Sequence, residues 1–448
     1  MTIYFISFGC DKNLVDSEQM MGLLNEAGYE FTDDENEADV IVINTCCFIG
    51  DSKKESIDAV IEAGTLKKEG KLKYLIAAGC LAERYPEEIR KSLPEVDAIV
   101  GTTAFDEIVS VIEELEGRGP EERAALRKKD RDISVNPAVK RVLSTGGHYE
   151  YLKIAEGCDK HCTYCIIPEI RGRYRSFPME RLVSDAEEMV SSGVKELILV
   201  AQETTVYGRD LYGRKMLPSL LRELSKIHAL KWIRLMYCYP EEIDEELIDA
   251  LKELPKVCHY LDMPVQHCSD RILKRMGRRT TKADITALIE KLRVEIPDIA
   301  IRTTLISGFP GESEEEHKEL LSFVRDISFD RLGVFAYSRE EGTKAADFPD
   351  QCPEEIKLRR RDEIMALQQE ISSEKNRLLS GSELYCMIEG RIPEDHVLVA
   401  RTMRDAPDID SLCFIDEAAG TEGLLSGDFV KVRVKGSSEY DLFAELCR

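Results

Sequence analysis

The chain has 448 residues, 43% hydrophobic and 33% charged, which predicts several domains with ordinary apolar cores. No apolar run reaches the ~20 residues needed to cross a bilayer, and the start lacks a basic stretch before Asp11, so neither a membrane span nor a signal peptide is expected and the location reads as cytoplasmic. The formal net charge of −24 disfavours nucleic acid as a partner, because a polyanion without a basic patch releases no counterions from phosphates; it suits a basic protein better.

Along the chain, residues 3–7, 40–44 and 74–78 are apolar runs that predict strands, with helical spacing over 17–27 and 54–63 between them. Continuous apolar runs alternating with amphipathic helices predict an α/β fold with an open parallel sheet over 1–115. Residues 116–147 are charged and glycine-spotted and read as a linker. Six further strands are expected at 151–155, 196–201, 232–236, 259–263, 300–305 and 331–336, with helices such as 179–191 and 282–294 between them. Six β/α units predict a partial (β/α)6 barrel over 148–378, closed by a helix at 354–379. The final segment, 379–448, holds short runs at 384–388, 397–401, 411–415, 429–435 and 442–445 between turns, which predicts a small five-stranded β-barrel.

Fourteen cysteines are many for a reducing compartment, where clustered thiols bind metal or do redox chemistry sooner than form disulfides. Cys158, Cys162 and Cys165 form a C-x3-C-x2-C pattern directly after the first barrel strand, on the face where barrel active sites are built. Three thiolates can hold three irons of a four-iron cluster and leave the fourth open. Zinc would need a fourth closed ligand, for which only His161 inside the triplet is at hand. Three more cysteines, Cys10, Cys46 and Cys80, each follow a strand of the N-terminal sheet, so parallel pairing would bring them to one edge. The bland reading, three small buried hydrophobes, explains one such cysteine better than three at equivalent positions. Cys47 and the remaining seven cysteines read as packing residues. Polar residues at later strand ends, Gln202, Glu203, Gln266 and Arg302, together with Gly308, are candidate cofactor contacts.

The C-x3-C-x2-C pattern resembles the signature of the radical S-adenosylmethionine enzymes. With Gly9-Cys10 through Glu18, Asn44-Thr45-Cys46 and Gly79-Cys80, the whole chain resembles the methylthiotransferases, which join a cluster domain, a radical core and a C-terminal TRAM domain. That resemblance implies two 4Fe-4S clusters, one on each trio, and S-adenosylmethionine bound at the open iron. Reductive cleavage there yields a 5′-deoxyadenosyl radical. An electron donor and a sulfur source are implied as further partners. Asp11-Lys12 and the acidic stretch Tyr337–Thr343 are similar to the branch that modifies an aspartate of small-subunit ribosomal protein twelve, and unlike the branch that modifies transfer RNA adenosine. The net charge of −7 over residues 381–448, including an acidic loop at 404–410, points to the same protein substrate, with tRNA disfavoured. A non-catalytic iron–sulfur scaffold is the rival from another class.

Overall fold

In the computed structural model, which describes residues 1–117, 140–417 and 420–447, the chain builds three sheets in sequence order. The first comprises β1 (Thr2–Ser7), β2 (Glu30–Phe31), β3 (Val40–Thr45), β4 (Tyr74–Ala78) and β5 (Ala98–Val100), ordered β2-β1-β3-β4-β5. All its pairings are parallel. Every residue of β3 is buried, and its alternate side chains serve two cores. Ile41 and Ile43 pack with Val60 and Ala63 of the helix Gly50–Lys68, whereas Val40 and Val42 pack with Met20 and Leu24 of the helix Asp11–Glu26. That division is why the strand reads as an unbroken apolar run. The first helix starts at Asp11, well before residue 17, which sets Cys10 at its N-terminal end.

The second sheet contains β6 (Tyr149–Lys153), then, beyond the small antiparallel pair β7 (Ala155–Glu156) and β8 (Arg175–Ser176), the strands β9 (Glu196–Val200), β10 (Trp232–Leu235), β11 (Val257–Asp262), β12 (Ala300–Ser307) and β13 (Arg331–Ala336). Its six strands are parallel and lie in chain order, β6-β9-β10-β11-β12-β13, with open edges. The carboxyl ends of all six therefore share one rim. The helix Glu354–Leu378 packs on β12 and β13.

The third sheet is a closed barrel of β14 (Glu383–Ile392), β15 (Val397–Thr402), β16 (Cys413–Asp416), β17 (Phe429–Ser437) and β18 (Leu442–Leu446). Its interior is filled at period two by residues such as Cys386, Ile388, Leu398, Ala400, Cys413 and Ile415, so two of the surplus cysteines are core residues.

Polar contacts join the small barrel to the six-stranded sheet. Glu196 bridges Arg234 Nε at 2.7 Å and Arg401 Nη2 at 2.5 Å, all three side chains being fully buried. Trp232 meets Phe429 edge to face at 4.8 Å. The acidic loop at 404–410 requires a correction, because two of its three carboxylates are paired within the chain. Asp405 pairs with Arg331, Asp410 faces Arg302 at 3.4 Å and accepts from Tyr260 at 2.7 Å, and Asp408 accepts from Tyr149 at 2.8 Å. Arginines of two strands of the six-stranded sheet thus neutralise Asp405 and Asp410, whereas Asp408 stays exposed, bonded to the Tyr149 hydroxyl. Of the linker at 116–147, residues 118–139 lie outside the described residues. Its last part is anchored: Arg141 pairs with Glu18 and Glu150, and Ser144 donates to Glu18 from its amide and its hydroxyl.

Candidate functional site

The cysteines at the edge of the first sheet follow three adjacent strands, β1, β3 and β4. Their loops are locked by the polar residues around them. Asn44 donates to Asn13 O and Ser17 Oγ, both at 2.8 Å, Asn13 donates to Phe8 O at 2.6 Å, and Thr45 donates to Ala78 O at 2.5 Å. Gly9 has φ +94°, and a Cβ there would stand 2.7 Å from Cys46 Sγ; Gly79 has φ +87°, and a Cβ would stand 2.1 Å from Asn44 Oδ1. Both glycines thus supply a left-handed turn, Gly9 with room beside the Cys46 thiol and Gly79 with room for the Asn44 side chain that locks the loops. The three thiols are near neighbours: Cys10 opposes the ionisation of Cys46, and both oppose that of Cys80. Burial pushes the Cys46 and Cys80 thiols up, with Arg171 acting the other way on each.

The second trio lies in the loop between β7 and β8. Cys158 N–H donates to Gly172 O at 3.1 Å, Cys165 N–H to Cys162 O at 3.0 Å, and Thr163 N–H to Met276 O at 2.9 Å, which fixes the loop over the rim. Burial pushes Cys158 up to about 12, and burial together with Cys162 and Cys158 raises Cys165. His161 is exposed, turned out of the trio that zinc would need it to close. Among the described residues no three His, Cys, Asp or Glu side chains close round a single ion. Ligands of a cuboidal cluster stand farther apart, because each thiolate takes a different iron.

Of the strand-end candidates, Gln202 and Glu203 lie beside this loop. Gln202 donates to Glu156 at 2.9 Å, and Glu156 Oε1 also accepts from the Gly157 amide next to Cys158 at 3.3 Å. Gln202 Oε1 and Glu203 Oε2 are buried without a hydrogen-bond partner. Burial pushes the Glu203 carboxyl up to about 7 against the pull of Lys160, 3.5 Å away. Gln266 has a left-handed backbone, φ +70°, stitched to β12 through Thr304 O and the Ile306 amide. Arg302 is occupied by Asp262 at 2.8 Å and Asp410. The neighbour that Gly308 accommodates is Lys357, whose Cγ would lie 2.4 Å from an added Cβ, so the helix Glu354–Leu378 accounts for this glycine where a ligand was expected.

Several residues that the sequence did not single out stand at the centre. Tyr237 follows β10 with φ +59°, a conformation uncommon for a bulky residue. Its amide donates to Asp262 at 2.9 Å and its hydroxyl to Asp11 at 3.2 Å, and Lys12 sits 3.2 Å from its ring centre. Tyr239 lies 3.7 Å from Cys162 Sγ, under Arg278, whose Nε and Nη1 have no hydrogen-bond partner. The signal in the sequence is the aromatic pair flanking Cys238 at a strand end, a pattern that packing alone also produces. A cavity of about 360 Å³ opens where the three sheets meet, lined by Cys10 and Asp11 of the first, Tyr151 and Tyr237 of the second, and Asp408 of the third.

The donor chemistry fits the groups implied by the resemblance. Each trio offers three thiols and a glycine-made space or a set of rim loops around them. The two orphaned oxygens near Cys158 fit the ammonium and hydroxyl donors of S-adenosylmethionine.

Three family models match the chain: Uncharacterized protein family UPF0004 over residues 2–101, the Radical SAM superfamily over 152–324 and the TRAM domain over 381–447. The chain is 56% identical over 442 residues to ribosomal protein uS12 methylthiotransferase RimO of Lachnoclostridium phytofermentans, covering 99% of both chains. It is 48% identical over 440 residues to the protein of that name from Clostridioides difficile, covering 98% of this chain and 97% of the other. Among solved structures, the radical S-adenosylmethionine methyltransferase TsrM from Kitasatospora setae matches with a TM-score of 0.56 at 15% identity, over 77% of this chain and 76% of that one, a likeness of fold alone.

Proposed function

The chain belongs to the ribosomal protein uS12 methylthiotransferase family, and we propose that it converts a C–H bond at the β-carbon of an aspartyl residue of ribosomal protein twelve into C–SCH3. The observation that supports this reading is that Cys10, Cys46 and Cys80 follow adjacent strands of one sheet while Cys158, Cys162 and Cys165 share one loop of the next, with Cys10 opening into the cavity shared by all three sheets. When bound, S-adenosylmethionine and the cluster that cleaves it would supply the radical and the methyl group, and the second cluster would hold or donate the sulfur. Cys158, Cys162 and Cys165 would hold one cluster, and Cys10, Cys46 and Cys80 the other. An electron donor and a sulfur source are required besides, and a ribosomal substrate supports a cytoplasmic place of action.

The chain's own work is to bind, orient and exclude water. Buried thiols such as Cys158 give up protons only when iron takes their place, so cluster assembly and proton release are linked. Gln202 presents an unpaired acceptor to the cofactor, Glu203 a buried carboxylate 3.5 Å from Lys160, and Gln266 a strained turn at the same rim. Arg302 and Gly308 serve the scaffold in this reading. Tyr151, Tyr237 and Asp408 wall the cavity in which the target residue would be fixed, and fixing it should dominate the rate. The exposed Asp408 favours a basic segment beside the target.

Mass spectrometry tests the assignment. Reconstituted enzyme with reductant and S-adenosylmethionine should add a methylthio group to an aspartate of the ribosomal protein and leave tRNA unchanged; modification of tRNA alone would overturn the substrate. Anaerobic iron analysis should give about eight irons per chain, and about four after Cys158→Ala. About four in the unmutated chain after full reconstitution would count against the second cluster.

A further inference from the structure

Arg171, at the end of the helix Ile167–Arg171, is 2% exposed although it carries a full charge. Such a cation is retained only where partners surround it. Nη2 donates to Asn13 Oδ1 at 3.0 Å and reaches Cys80 Sγ at 3.5 Å, while Nη1 donates to Asp16 at 2.6 Å and to Glu156 at 3.3 Å. Lys153 shares the same two carboxylates, so two cations balance two anions in a buried group. Asn13, Asp16 and Cys80 belong to the first sheet and its helices; Glu156 belongs to the loop edge that carries Cys158. Through its other oxygen Glu156 holds both the Gly157 amide and Gln202. The Gly172 carbonyl, one residue on from Arg171, accepts from Cys158 N–H.

We propose that Arg171 is a positioning residue that sets the reduction potential of the centre on Cys10, Cys46 and Cys80 and fixes it relative to the loop of the other trio. This rests on the reading of the first trio as a cluster site. A guanidinium donating to a ligand sulfur, far from water, stabilises the more negative, reduced state and so raises the potential. With Arg171 removed, Asp16 and Glu156 face that anionic centre with Lys153 alone.

The test uses the full-length chain carrying Cys158→Ala, Cys162→Ala and Cys165→Ala, so that only the first centre is read, by mediated redox titration followed by electron paramagnetic resonance. Arg171→Met should disfavour reduction at least tenfold, about 59 mV for one electron. Arg171→Lys, which keeps the charge and loses the fork, should fall between that variant and its parent. A potential unchanged within twofold in a variant that retains its irons overturns the role of Arg171. Should Arg171→Met hold no iron, Arg171→Lys decides by the same measure. A parent background that binds no iron would instead overturn the cluster reading, and this proposal with it.

Discussion

Replacing Glu196 by glutamine keeps the side chain's shape and removes its charge. Arg234 then retains the Met403 carbonyl at 2.8 Å but no carboxylate, in a site where its side chain is 0% exposed; Arg401 keeps Glu389 at 2.9 Å. Breaking a buried pair from one side destabilises by about 3–5 kcal/mol, and the surviving Glu389 contact argues for the lower end, about 3 kcal/mol. With a urea dependence of about 1–3 kcal/mol per molar, the midpoint should drop by about 1–3 M. Trp232 is the single tryptophan of the chain and packs on Phe429 at this junction, so intrinsic fluorescence reads the transition directly. Burial alone would raise the Glu196 pKa, yet Arg234 and Arg401 hold it below 4.5. A lowered native pKa gives stability that is complete above the unfolded value and fades as pH falls through the native one. The parent midpoint should therefore decline on acidification below pH 4.5, and the Glu196→Gln midpoint less so. A midpoint shift under about 0.3 M would refute the reasoning, for it would mean the two arginines re-solvate without loss.

Gly9→Ala should lower iron from about eight to about four per chain, because its Cβ meets Cys46 Sγ in a backbone conformation alanine resists; full iron content would contradict the crowding. Burial is the largest single influence on His148 and lowers it, but the hydrogen bond to Glu389 at 2.7 Å, the Glu389 charge and the Gly146 carbonyl together raise it above 6.5. Its contribution is complete below pH 6.5 and lost as pH rises through the native value, so the Trp232-monitored midpoint should fall on alkalinisation and His148→Gln should flatten that slope. Glu340→Gln leaves Arg84 the carbonyls of Cys47 and Glu341 but no carboxylate, which should cost about 1–3 kcal/mol and speed hydrogen exchange around residues 46–48.

The sheet architecture was legible because strand periodicity and helix spacing are local signals: the helix Met179–Ser191 and the strand Arg331–Ala336 fall where the pattern puts them. The short strands Glu30–Phe31, Ala98–Val100 and Arg175–Ser176 were not foreseen, since two or three residues carry no period. The cysteines stood out by spacing and by their place after strands. Their surroundings did not. Arg171 touches Asn13, Asp16 and Cys80, residues 91 to 158 positions away, and the Arg84–Glu340 pair spans 256. Such pairings exist only after the sheets assemble. The acidic loop at 404–410 shows the same limit, because charge counted along a sequence says nothing about where its counter-ions lie.

The chamber beside Cys10 has a shared ownership that matters for anyone dividing this protein. One wall comes from the N-terminal sheet, another from Tyr151 and Tyr237, and a third from Asp408, which its bond to Tyr149 holds in place. Fragments cut between the sheets would inherit the thiols and forfeit the room next to them, so reconstitution from separate pieces should recover iron binding sooner than turnover.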